Sequence, residues 1–195
     1  MLPVQWEEPL PAGADPGTVG TGGGRVTDGL RRLLDEAAIK EVHLRYCRAV
    51  DRMDWDLLRS CYHPEAVDDH GSFVGGVEEF VAWLARMLPL LASTTHFTAN
   101  QLVEVDGDRA WMESYTRAYH RIAATAEAPA ADYVLNLRYV DQLERRDGRW
   151  RVLERVVVHD SERFDPVAGA PVEPGANGRP GARDRTDPSY RRPLP

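Results

Sequence analysis

Cysteine is scarce in this chain: Cys47 and Cys61 are the only two among 195 residues. That is too few for a disulfide scaffold, they do not form a CxxC pair, and they read as buried reduced thiols. Cys61 and His63 could open a metal site, but no further ligands follow at a finger-like spacing, so no metal is expected. A basic surplus is missing as well. Against 24 Lys and Arg stand 31 Asp and Glu, a formal net charge of −7 that excludes a broad grip on nucleic acid. No apolar run approaches the roughly 20 residues that cross a bilayer, so no membrane partner is expected. The start of the chain, Met1 to Gly24, lacks the basic opening and apolar run of a signal peptide, which makes the cytoplasm the expected location. The glycines at 20 and 22–24 precede any strand, so they do not form a phosphate-cradling loop, and no cofactor is expected.

What is present fits a soluble globular protein: 43% of residues are hydrophobic and 28% charged. Composition divides the chain into a Gly- and Pro-rich N-terminal arm over 1–27, one domain over 28–165 and a Pro-, Gly- and Arg-rich tail over 166–195, with both ends expected to be flexible and solvated. Within the domain, Asp28 is placed to cap a helix whose apolar positions include Leu30, Leu33, Leu34, Ile39, Val42, Tyr46 and Ala49. A break at Asp51-Arg52-Met53 follows, and Asp54 is placed to cap a short helix that ends before Pro64. Val77, Phe80, Val81, Leu84, Met87, Leu88 and Leu91 predict a third helix with one apolar stripe, shortened or kinked by Pro89. A short strand is expected near 66–73. From Leu91 the period changes to two, predicting long strands over 94–105, 109–123, 132–144 and 149–163, with hairpin turns at Asp106-Gly107 and Asp147-Gly148. Helices followed by an antiparallel run of strands imply an α+β fold with helices packed on a curved sheet.

Six polar residues stand out: Tyr46, Asp51, His70, His96, His120 and Arg155. Taken singly, each has a structural explanation. Tyr46 fits a core tyrosine, Asp51 a helix end, a strand histidine a half-buried surface residue, and Arg155 a sheet-surface ion pair.

Ala49 to Leu57, Thr95-His96-Phe97 with Asn100, and Glu144 to Trp150 together resemble the helix break, central strand and last hairpin of the scytalone dehydratase / SnoaL-like family in the nuclear transport factor 2-like superfamily; the last piece is especially similar to lindane dehydrochlorinase. The resemblance runs from about Asp28 to Asp165 and implies the α+β cone of that superfamily, a curved sheet wrapped around helices. It implies that Asp51 and His96 form the family's catalytic dyad, that His120 and Tyr46 assist it, and that Arg155 and His70 lie at the pocket. Val50 stands where scytalone dehydratase has a tyrosine, and the register leaves open whether His70 or Asp69 faces inward. Trp83, Met87, Phe97, Trp111 and Leu135 are taken as apolar pocket walls. The function implied is a lyase or isomerase acting on a small, largely apolar carbonyl or hydroxyl compound, dehydration first, with polyketide-type cyclisation as an alternative. A homo-oligomer, dimer or trimer, is implied too. The rival is a noncatalytic module: a ligand-binding or oligomerisation domain, or a partner subunit like the small subunit of ring-hydroxylating dioxygenases, because this fold also serves without chemistry.

A histidine suits proton transfer because its unperturbed pKa lies near neutrality. A carboxylate on one ring nitrogen fixes the tautomer and stabilises the imidazolium that forms when the other nitrogen takes a proton.

Overall fold

A computed structural model describes residues 23–167 and 178–191. Of the arm expected over 1–27, residues 1–22 lie outside the described residues, as do 168–177 and 192–195 of the tail expected over 166–195. A long helix α1 (Gly23–Arg52) leads into α2 (Trp55–Ser60), strands β1 (Tyr62–Asp69) and β2 (Val74–Gly76), helix α3 (Val77–Met87), then β3 (Leu91–Asp106), β4 (Arg109–Ile122), β5 (Ala131–Arg146) and β6 (Arg149–Pro166). The six strands form one sheet in the order β2-β1-β6-β5-β4-β3, antiparallel except for the β1–β6 pair. The fold is the α+β cone.

Helix α1 starts ahead of the cap expected at Asp28, because no proline interrupts 23–52 and an established helix extends cheaply. Its first half stands clear of the sheet: Leu30, Leu33 and Leu34 are exposed, and the stripe buries only from Ile39 through Val42, His43, Tyr46, Cys47, Ala49 and Val50. Asp35 pins the junction, accepting hydrogen bonds from Trp150 Nε1 at 3.0 Å and from Arg145 at 2.6 Å.

The helix stops where the sequence breaks. Met53 adopts a left-handed φ of 50°, and the N–H of Asp54 turns back to the carbonyl of Ala49 at 2.9 Å. Asp54 then caps α2, its carboxylate accepting from Leu57 N at 3.3 Å. This turn holds Asp51 at the end of α1, facing β3.

Helix α3 buries Val77, Phe80, Val81 and Leu84, and Pro89 converts its last turn into a 3₁₀ turn over Leu88–Leu90. Complete burial of Phe80 contributes about 1.5–3 kcal/mol. The strand expected near 66–73 is two strands separated by a turn at Gly71, whose φ is +74°. At Asp147-Gly148 both φ angles are positive, as a type I′ hairpin requires.

The inner face of the sheet alternates strictly: Met112, Ser114, Thr116 and Ala118 on β4 are buried, opposite Asp141, Tyr139, Leu137 and Leu135 on β5. On β3 a bulge between Ala99 and Gln101, with Asn100 at φ 47°, changes the phase, so that Thr94, His96 and Thr98 before it and Val103 after it share that face. Bulges of this kind bend a strand and deepen the concavity of its sheet.

The C-terminal segment over 178–191 is not a free tail. A 3₁₀ turn (Pro188–Tyr190) is closed by Asp187, whose carboxylate accepts from Ser189 N and Ala182 N, each at 2.9 Å. The Tyr190 hydroxyl donates to Asp54 at 2.9 Å, and Arg48 reaches Ser189 Oγ at 3.1 Å.

Candidate active site

Asp51 leaves the end of α1 and meets β3. One carboxylate oxygen, Oδ1, is 2.8 Å from His96 Nδ1 and accepts the Thr94 hydroxyl at 3.0 Å; the other, Oδ2, accepts the His96 backbone N–H at 3.0 Å. Burial alone would raise this carboxyl's pKa. The hydrogen bonds and charge of His96, with the Thr94 hydroxyl, outweigh burial and hold it below the ordinary carboxylate range. An ionised Asp51 requires the proton of neutral His96 to sit on Nδ1. Nε2 is then a free lone pair, and it makes no hydrogen bond among the described residues. The imidazole retains 5% side-chain exposure, so this nitrogen is sheltered but not sealed.

His120 follows from the register. Thr94 pairs across with His120 and His96 with Ala118, which puts the two imidazoles on one face, ring centres 5.9 Å apart and edge to face. Burial, then the charge of His96, pushes the pKa of His120 down to about 4, so the ring is neutral near pH 7. Its Nδ1 is buried without a hydrogen-bond partner among the described residues.

The other expected site residues gather elsewhere. Arg155 is 0% exposed and donates two hydrogen bonds to the Asp141 carboxylate, Nε to Oδ1 at 2.6 Å and Nη2 to Oδ2 at 2.7 Å. Its Nη1 donates to the Tyr62 hydroxyl at 3.1 Å, which itself donates to Asp68 at 2.6 Å. Asp68 also holds His70 by Nδ1, and His70 Nε2 meets the Tyr46 hydroxyl at 3.2 Å. The guanidinium lies 4.0 Å from the ring centre of Tyr46 and 4.6 Å from that of Tyr139. This is a continuous buried network, in which the charge of Asp141 keeps Arg155 protonated against the cost of burial and burial holds the Tyr46 phenol neutral. Arg155 therefore does not line a pocket. The open register at β1 resolves in favour of His70: Asp69 turns to the backbone N–H of Gly71.

Among the expected apolar walls, Leu135 lies on the inner face opposite Ala118, and Trp83 stacks on Phe73 and Phe80 with His70 6.3 Å away. Three do not belong inside. Phe97 is 70% exposed, because the residue after an inward-facing His96 must point outward. Trp111 precedes buried Met112 and takes the outer face for the same reason, and Met87, at the edge of the α3 stripe, is 45% exposed. Cys61 and His63 are spent on the carbonyls of Leu57 and Glu144.

Four participants escape a reading of the sequence. Thr94 and Asp68 each stand two residues before their histidine on the same strand face, a signal that was available. His43 lies one turn before Tyr46 and Cys47 on the buried stripe of α1, its Nε2 3.1 Å from Thr98 Oγ1. Arg183 has no signal at all. It comes from the C-terminal segment, its Nη1 donating to the carbonyls of Leu88 and Leu91 at 2.8 Å each and its Nη2 lying 3.5 Å from Thr94 Oγ1. A surface pocket of about 250 Å³ opens beside this segment, lined by Arg52, Met53, Asp54, Trp55, Asp56, Arg59, Asp184 and Arg185; neither dyad residue lines it.

Solved structures share this architecture. A hexachlorocyclohexane dehydrochlorinase, LinA-type3 from Novosphingobium barchaimii LL02, is 21% identical with a TM-score of 0.63, the match covering 75% of this chain and 99% of that one. A protein from Kribbella flavida is 21% identical with a TM-score of 0.63 over 68% and 95% of the two chains. One from Novosphingobium aromaticivorans DSM 12444, provisionally described as a scytalone dehydratase, is 19% identical with a TM-score of 0.61 over 72% and 97%. No curated protein matches the sequence. The SnoaL-like domain profile matches residues 31–156, a stretch that spans the helix break, β3 and the last hairpin. By that match the chain belongs to the SnoaL-like domain family.

Proposed function

We propose that this protein is a cofactor-independent lyase or isomerase in which His96, oriented by Asp51, takes a proton from a small, largely apolar carbonyl or hydroxyl compound, with dehydration the first choice of reaction. The observation that carries this reading is the bracing of Asp51: three hydrogen bonds converge on its carboxylate and leave His96 Nε2 as a free, partly sheltered base. The presence of His120 on the same face, its ring centre 5.9 Å from that of His96, supports this reading by putting a second polar ring beside the base. Acid–base catalysis of this kind supplies about 10²–10⁴-fold. The homo-oligomer implied by the resemblance would cover the outer face of β3 and β4, where Phe97, Leu102 and Tyr115 are exposed.

The test is a panel of β-hydroxy ketones and esters incubated in D₂O with the full chain, followed by NMR for deuterium at the carbon next to the carbonyl and for the unsaturated product. Exchange or elimination that disappears in Asp51→Asn and His96→Gln supports the reading. Turnover that persists in both variants sinks it.

A further inference from the structure

Proton abstraction next to a carbonyl breaks a C–H bond. The electron pair forms the C=C of an enolate, the carbonyl π pair moves onto oxygen, and the proton goes to His96 Nε2. The oxygen gains a full charge, so the site needs a donor aimed at it. The sequence offered three donors. Arg155 is fully buried and bound to Asp141, and Tyr46, 1% exposed, directs its hydroxyl to His70. His120 is neutral, and a neutral ring supplies no charge to an oxyanion.

We propose that Arg183, brought in by the C-terminal segment, binds the oxyanion of the reaction intermediate; this rests on the proton-abstraction reading of the dyad. Its Nη2 lies 3.5 Å from the Thr94 hydroxyl that itself donates to Asp51, so the guanidinium stands one side chain away from the dyad. The other contacts of Arg183 are with neutral acceptors, the carbonyls of Leu88 and Leu91. No carboxylate lies within ion-pair distance of it among the described residues, whereas Arg52 pairs with Asp187 at 3.5 Å and Arg185 with Asp54 at 3.3 Å. Among the described residues its Nε is buried with no partner, as is Nδ1 of His120 across the β3–β4 register from Thr94. Partial withdrawal of a cation from water without a counter-ion is costly. Burial depresses the pKa of Arg183, the charge of Asp51 offsets this in part, and its own charge helps keep His120 neutral. An enolate oxygen formed in that space would supply the missing anion. The substrate class is accordingly a carbon acid whose charge collects on one oxygen, a ketone or ester.

The probe is a stable aromatic oxyanion, 4-nitrophenolate, compared with neutral 4-nitroanisole, each titrated into the full chain above the ionisation midpoint of the phenol. Wild type is expected to prefer the phenolate by about tenfold, the equivalent of one charge-assisted hydrogen bond. Arg183→Gln is expected to abolish that ratio, and Arg183→Lys to keep part of it. A purely structural clasp would weaken both ligands equally and leave the ratio unchanged. Tyr190→Phe, which loosens the segment but retains Arg183, is expected to keep the ratio. No preference in wild type, or a preference that survives Arg183→Gln, overturns the proposal. Because binding the phenolate needs no proton transfer, this outcome is separate from the fate of Asp51→Asn and His96→Gln in the exchange test.

Discussion

The molecule holds two Asp–His pairs of the same composition, and their surroundings give them different work. In Asp51–His96 the carboxylate is filled and the far ring nitrogen is free. In Asp68–His70 both ends are closed: Asp68 takes the Tyr62 hydroxyl, His70 Nε2 faces Tyr46, and the chain runs on through Arg155 to Asp141. A base needs an unfilled lone pair, whereas a buried polar network needs every group filled. We read the first pair as the site of chemistry and the second as the polar core that keeps α1, β1, β5 and β6 in register.

The widest separation between the pairs should come from Asp51→Asn and His96→Gln. Each is expected to lower turnover by about 10²–10⁴-fold while leaving the fold intact by circular dichroism. The second pair should answer in stability. Arg155→Met leaves Asp141 buried without its partner and is expected to cost about 3–5 kcal/mol in urea unfolding. A variant that unfolds no more easily than wild type would show that the network is not the brace described here.

Acid separates the pairs more finely. His120 has a folded pKa of about 4, below the value of about 6.5 for a free histidine. Between those values the unfolded chain binds the proton and the folded chain does not, so stability falls as pH drops through that window. Asp51, also depressed, stabilises the fold above the unfolded carboxyl value and loses that contribution as pH falls through its folded value, below the His120 window. His120→Asn should therefore flatten the pH profile of the unfolding free energy between about pH 6.5 and 4 by up to about 1.4 kcal/mol per pH unit, while Asp51→Asn, which removes a charge that raises the His120 pKa, keeps that slope and loses the carboxylate's own contribution at lower pH. Buried His43, shifted in the same direction as His120, remains in both variants and leaves a residual slope. An unchanged midpoint profile in His120→Asn would place the acid response elsewhere.

The sequence carried the strands and the helix break, because each is a local signal: period-two alternation and a polar break in an apolar stripe. The pairing of Asp51 with His96 came from the family resemblance instead, since no local pattern joins a carboxylate at a helix end to a strand histidine so far along the chain. Much of what the sequence misplaced follows from one rule applied too loosely. Neighbouring strand residues face opposite ways, so inward His96 excludes Phe97 and inward Met112 excludes Trp111. The fate of Arg155 was not legible, since its partner Asp141 is a strand away and only the β5–β6 register joins them. Arg183 was hidden for another reason: composition describes what a segment does alone, and 178–191 is seated by Arg48 and Arg52 in the last turns of α1 and by Asp54, the cap of α2.

The smallest expected effect bears most directly on the two pairs. Tyr46→Phe deletes one hydroxyl and leaves the part-buried His70 Nε2 without its partner. The loss of a buried hydrogen bond costs about 0.5–1.5 kcal/mol, and the retained ring keeps its contact with Arg155, so the variant should fold and unfold slightly earlier in urea. Turnover should stay within about threefold of wild type, since the free base and its carboxylate are untouched. A fall in turnover as large as that of Asp51→Asn, with stability unchanged, would reverse the assignment. The closed pair would then be the one that moves protons, with the Tyr46 phenol as its outlet.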